Sequence, residues 1–204
     1  MKGNFRQSVL LRVYDWLACT DPPGTDDLIF VFAGREERKR HGLYMYRKSR
    51  APRLLLSVAR FEIRRFRDLE LPQPPDLREI ASHVPPRLRH FFVYFDGQHR
   101  QVERVPVGRF GTLSEINALK SWLKGYPHIA SIALVSSGAH LRRVRMCCRA
   151  LLPPDLHLRL IAVPVGPSKL SGEDVAHPEI SFKFVLFEIM KLVGYRLILT
   201  LGTA

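Results

Sequence analysis

Cysteine is scarce in this chain: three in 204 residues, at Cys19, Cys147 and Cys148. The number is odd and two are adjacent, so a disulfide framework is excluded and a reducing compartment fits best. Zinc-ligand spacing is absent. Long apolar runs are also missing. Arg6, Arg12 and Asp15 interrupt the first twenty residues, which read as a short amphipathic helix and not as a secretory signal or a membrane span. The most apolar stretch, FVLFEIMKLVGYRLILTLGTA, is broken by Glu188, Lys191 and Arg196, which points to a buried or interfacial helix. Acidic residues are in short supply, 19 against 32 Lys and Arg, for a net charge of +13. Such a field favours anionic partners: phosphorylated metabolites, nucleic acid or an acidic membrane surface. It also simply aids solubility. No internal repeat or low-complexity tract is present, and 46% hydrophobic with 25% charged residues is ordinary for a globular protein.

What is present is a series of apolar runs. DLIFVFAG (27–34), RLLLSVA (53–59), HFFVYFDG (90–97), IASIALVSS (129–137) and LHLRLIAVPV (156–165) are apolar throughout more often than alternating. Strands covered on both faces read this way. Helical patterns lie between them. One contains Leu43 and Tyr46. A second, TLSEINALKSWLKG, has Leu113, Ile116, Leu119 and Leu123 on one face and Gly125 as a stop. A third has Leu141, Val144, Cys148 and Leu151 inward. Alternation of strand and helix predicts an α/β class: a three-layer, Rossmann-like, mainly parallel sheet of about five strands with helices on both faces. The expected organisation is a single domain over 1–204, with a core at about 27–166 and a loop plus C-terminal helix over 167–204. The proline-punctuated segment 61–89 reads as a lid or surface excursion, with a short helix at 77–83.

In an open parallel sheet, ligands bind at the carboxyl ends of the strands. The residues expected on that rim are Gly34 and Arg38, then Ser57, then Asp96 with Arg109, Thr112 and Glu115. Ser136, Ser137, Gly138, His140 and Arg143 follow, then Pro164 and Gly166. Plain structural readings stand beside these. Thr112 with Glu115 matches a capping box, and Ser136 or Ser137 suits a helix cap. The basic residues from Arg35 to Arg67 suit a solvated face, and Cys147 with Cys148 suit packing. The corner from Ser136 to Arg143 carries more. Hydroxyls, a glycine, a titratable imidazole and a guanidinium one turn later together suit a phosphate or carboxylate.

At this corner the chain resembles the YdcF/SanA/ElyC family of bacterial proteins. The family pattern of Thr or Ser, Ser, two residues, His, two residues and Arg matches Ser136, Ser137, His140 and Arg143. The helix-opening Thr and Glu resemble Thr112 and Glu115, and the early pattern resembles Gly34, Arg38, Ala51-Pro52-Arg53-Leu54 and Ser57. The resemblance covers about Asp27 to Pro164. It implies a Rossmann-like fold and a polar pocket of Gly34, Arg38, Ser57, Thr112, Glu115, Ser136, Ser137, His140 and Arg143. It also implies a link to the cell envelope, including polyprenyl-phosphate carrier metabolism, and makes S-adenosylmethionine a candidate cofactor.

Three functional expectations follow. The first is an enzyme, a hydrolase or transferase, acting on an anionic, phosphorylated substrate. Ser136, Ser137 and the amides around Gly138 hold the anion, and Arg38 and Arg143 neutralise it. His140 acts as general acid or base, and Glu115 orients it or carries a second proton. Asp96 and Glu115 are available to a Mg²⁺ ion, though no metal-ligand spacing is evident. The second is a non-catalytic module for a nucleotide-like ligand such as S-adenosylmethionine. The missing Gly-x-Gly-x-x-Gly and ribose-binding acid count against it. The third, nucleic-acid binding, rests on basic and aromatic residues interleaved in HGLYMYRKSR and RFEIRRFR, but no recognised module is present and it ranks last. A cytoplasmic location with peripheral membrane contact through Lys183, Lys191 and Arg196 is compatible with the first.

Overall fold

The computed structural model describes residues 2–71, 75–97, 99–106, 108, 111–164 and 182–202, with side chains from Ser8 onward. The elements run α1 (Lys2–Leu17), β1 (Leu28–Val31), α2 (Glu36–Arg47), β2 (Arg53–Ala59), α3 (Leu77–Ser82) and β3 (His90–Asp96). They continue with β4 (His99–Arg104), α4 (Gly111–Leu123), β5 (Ser131–Ser137), α5 (Leu141–Leu151), β6 (His157–Val163) and α6 (Phe182–Leu201). Short 3-10 turns occupy Phe66–Asp68, Pro86–Leu88 and Gly138–His140.

The strands form one six-stranded sheet in the order β4-β3-β2-β1-β5-β6. β1 is parallel to β2 and to β5, and β5 is parallel to β6. β3 runs antiparallel to β2, and β4 antiparallel to β3. The α/β, Rossmann-like three-layer expectation holds, as a mixed, mostly parallel sheet with one strand more than expected. The central strands are buried on both faces, as their unbroken apolar runs require. One face packs Phe30, Leu55, Phe92 and Leu134 against Ile116, Leu119 and Trp122 of α4 and Leu141, Val144 and Cys148 of α5. The other face packs Val31, Leu56, Val93 and Val135 against Leu43 and Met45 of α2. Each such side chain stabilises the fold by about 1.5–3 kcal/mol relative to exposure.

That second face also receives Ile63, Phe66, Leu69, Leu71, Leu77 and Ala81. The described part of segment 61–89 therefore covers the sheet, and its first residues, from Phe61 to Leu69, also border a hollow at the strand ends. α3 begins at Asp76, whose carboxylate accepts from the amides of Arg78 (3.0 Å) and Glu79 (3.1 Å).

α1 and α6 lie outside the three layers. They meet at Tyr14, Leu17, Ala139 and Val185, with Leu10, Val13, Ile189 and Leu192 packed around them. α6 also packs on α5. The expected C-terminal helix is thus packed on other helices, beside the Gly138–His140 turn. The loop expected before it, and the rim candidate Gly166, lie outside the described residues, as does Arg109.

Candidate active site at the rim of the parallel strands

The carboxyl ends of β1, β2, β5 and β6 share one rim. β3 runs the other way, and this re-sorts the residues of its two ends. Asp96 pairs in register with Arg53, at the start of β2, and so sits at the far edge of the sheet. There it accepts from Arg53 Nε at 3.1 Å and from the Tyr94 hydroxyl at 3.2 Å. Asp96 is removed from the site, and a Mg²⁺ ion bridging it to Glu115 is ruled out by this separation. His90, at the start of β3, pairs with Ala59 and arrives at the rim in its place.

A cleft of about 570 Å³ opens there. Gly34, Arg38, Thr112, Glu115, Ser136, His140 and Arg143 line it, together with His90. A second hollow of about 360 Å³ shares Gly34, Arg38 and His140 with the first and adds Ser137. Ser57, fully buried, sits with its hydroxyl bonded to two of the cleft residues. Nine of the ten expected site residues therefore converge.

Gly138 is the exception. A Cβ on it would lie 2.7 Å from the Tyr14 hydroxyl and 3.1 Å from Ala18 Cβ. The missing Cβ lets α1 approach this turn.

The capping readings fail on the same geometry. Thr112 lies inside α4, and its hydroxyl accepts from Arg143 Nη1. Glu115 Oε1 accepts from the Ala33 amide at the end of β1 (2.8 Å) and from the Ser57 hydroxyl (2.5 Å). Ser57 Oγ lies 2.7 Å from His90 Nε2. With the Ser57 proton given to the carboxylate, His90 must donate through Nε2. A chain His90 to Ser57 to Glu115 thus fixes the carboxylate under the cleft. Burial, with Lys39 nearby, pushes His90 down to about 4, so it is the neutral ring that donates. Ser137 makes no side-chain cap bond and instead accepts from Arg38 Nε at 3.0 Å.

Arg38 is 7% exposed and Lys39 1%, which overturns the solvated-face reading for this pair. Arg38 Nη1 donates to the Ala33 carbonyl at 2.5 Å. Gly34 has φ +142°, and its missing Cβ would have met Arg38 Nη1 at 2.6 Å. Lys39 Nζ donates to the Phe32 carbonyl at 3.0 Å and pairs with Glu62 Oε1 at 2.5 Å. Burial lowers its pKa although Glu62 opposes the shift. Cys147 and Cys148 are fully buried, and burial pushes the Cys147 thiol up to about 12, in keeping with packing.

The centre of the site is a cluster that only the fold could assemble. Glu188, from α6, is 1% exposed. Its Oε2 lies 2.7 Å from His140 Nδ1 and 3.0 Å from Arg143 Nη2, and its Oε1 lies 2.8 Å from Lys191 Nζ. Nδ1 thus has two neighbours, the Glu188 carboxylate as acceptor and Arg143 Nη2, 2.8 Å away, as donor. Nε2 has no hydrogen bond among the described residues. Burial pushes His140 down to about 4, so the ring is neutral at pH 7. The hydrogen bond to Glu188 opposes this, but that carboxylate already faces Arg143 and Lys191. For Glu188, burial alone would raise the pKa. The bond from His140, with the charges of His140 and Arg143 and the bond from Lys191, more than offsets this and holds it well below the usual range.

Arg143 is 7% exposed, lies over the Tyr195 ring at 5.0 Å, and leaves its Nε buried without a partner among the described residues. The walls of the cleft carry Arg38, Arg143 and Lys191 against Glu115, with Glu188 behind. Among the described residues, no group of three or more His, Cys, Asp or Glu is placed to hold a metal ion. His90, Lys39 and Glu62 were within reach of sequence reasoning only had the direction of β3 and the burial of α2 been known. Comparison of the chain with protein-family models, curated proteins and solved structures returned no match.

Proposed function

We propose that this protein is a YdcF-like enzyme acting on an anionic, phosphate-bearing substrate, by hydrolysis or transfer at the phosphate, in cell-envelope metabolism. One observation carries the proposal: His140 lies with Nδ1 against a buried, charge-compensated Glu188, and with no bond at Nε2 among the described residues, in a cleft walled by Arg38 and Arg143. A neutral imidazole anchored through Nδ1 leaves its other ring nitrogen available to carry a proton. The buried guanidiniums supply fixed positive charge that needs no reorganisation when negative charge develops. Glu115, fixed by Ala33 and Ser57, is the second carboxylate within the cleft and serves as the partner proton carrier. A cytoplasmic setting at the membrane surface belongs to the same proposal.

The test is a turnover screen with phosphomonoesters, diphosphates and prenyl phosphates, paired with calorimetry that includes S-adenosylmethionine. Wild type should turn over one class, and His140→Ala should lose about a hundredfold or more in kcat while still binding it. Full turnover by His140→Ala overturns the proposal. Saturable binding with no turnover by wild type moves the protein to the non-catalytic module class.

A further inference from the structure

α6 is apolar on both sides. Its inner side is occupied: Val185 and Glu188 are buried, and Ile189, Leu192, Tyr195, Ile198 and Leu199 pack against the rest of the molecule. Its outer side has no such packing among the described residues. Phe182, Leu186, Met190, Val193, Leu197 and Leu201 recur every three or four residues and fall on one face. All are exposed, from 45% at Leu186 to 77% at Leu201. A helix with this pattern normally has a partner on each side. A stripe twenty residues long spans about 30 Å. Scattered surface leucines are unremarkable, but a continuous row of this length marks an interaction surface.

The charges choose the occupant. The exposed ionic groups on α6 are Lys183, Lys191 and Arg196, all cationic. Its one acid, Glu188, is turned inward and ion-paired. A second copy of the chain would set these cations against like charges, within a protein of net charge +13. An anionic lipid surface meets both features: acyl chains for the stripe and headgroup phosphates for the flanking cations. The helix does not cross the bilayer, since no helix among the described residues is long and apolar enough to do so. Its inner side is committed to protein besides. We infer that α6 lies in the plane of an anionic membrane interface, with its outer stripe immersed and its inner side walling the cleft through Lys191 and Tyr195.

The inference does not rest on the reaction proposed above. Leu186, Met190 and Val193 do not line the cleft, so their replacement separates docking from chemistry. The experiment is flotation of the full chain with vesicles of phosphatidylcholine, with or without phosphatidylglycerol. Wild type should float with the anionic vesicles and stay behind with the neutral ones. The triple variant Leu186→Ser, Met190→Ser, Val193→Ser keeps every charge and should bind roughly tenfold or more weakly, from loss of immersed apolar surface. Circular dichroism and thermal unfolding check that it still folds. Lys183→Glu with Arg196→Glu should weaken binding and remove its salt dependence. Absence of wild-type flotation with anionic vesicles overturns the inference. So does equal flotation of the triple variant, which would assign binding to the basic surface at large. Dimerisation in sedimentation without flotation overturns it in favour of a second copy.

Discussion

Gly34 and Gly138 both stand at strand ends beside the cleft, yet they are glycine for different reasons. Gly34 has φ +142°, where a side chain is strained, and its bare Cα admits the guanidinium of Arg38. Gly138 has no positive φ. It meets the Tyr14 hydroxyl of α1 at 2.7 Å from where a Cβ would stand. Gly138→Ala should therefore destabilise the fold by about 1–3 kcal/mol through overpacking, without disturbing the cleft. Tyr14→Phe removes the nearest atom and should restore most of that loss in the double variant. Urea unfolding of the two single variants and the double variant reads the cycle. A Gly138→Ala protein as stable as wild type would return the glycine to the anion-binding role that its place in the sequence motif suggested.

At the scale of the element, α6 contributes the residue on which the rest of the site depends. Glu188 is a buried counter-charge to buried Arg143 and to half-exposed Lys191, and it lies against His140. Removing the charge strands a buried guanidinium whose Nε already lacks a partner. Glu188→Gln should cost about 3–5 kcal/mol, and Glu188→Gln with Arg143→Met should recover part of it, because the uncompensated charge is what costs most. Denaturant midpoints with an unchanged m-value would check this; additive losses would show the pair is not coupled. Glu188 was legible only as an interruption of an apolar run, since nothing local says which group an inward carboxylate will meet. The strands were legible because burial on both faces writes itself as continuous hydrophobicity. β4 was not: HRQVER lies exposed at the sheet edge and reads as loop. The Asp-Gly at its start was the available signal, since Asp96 pairs with His99 across a two-residue hairpin connection. Taking that hairpin seriously would have added β4. The direction of β3 itself needed tertiary information, and on it turned the exchange of Asp96 for His90.

For the whole molecule, the burial of two histidines makes stability depend on pH in a definite sense. His90 and His140 are both held near 4, against 6.5 in an unfolded chain. Between these values the unfolded state binds more protons than the folded one. Each ring's contribution is therefore complete above about pH 6.5 and is lost as pH falls toward 4. The slope approaches at most about 1.4 kcal/mol per pH unit for each ring. The carboxylates act elsewhere. Asp27 and Glu188 are lowered, so their losses begin only as pH falls through and below the ordinary carboxylate range, while Asp26, raised by burial, works in the opposite sense there. Burial lowers His41 and Lys39 as well, so both add to the slope in the same sense. Added protons also raise a net charge already at +13, and that self-repulsion acts in the same direction. Salt separates the two, since it screens surface charge and leaves burial unaffected. Urea midpoints measured from pH 7.5 to 5 should fall, at low salt and at high salt alike, and should flatten in a His90→Gln, His140→Gln variant. A decline that high salt abolishes would assign the effect to net charge, and the buried neutral imidazoles would lose their place in the account of the site.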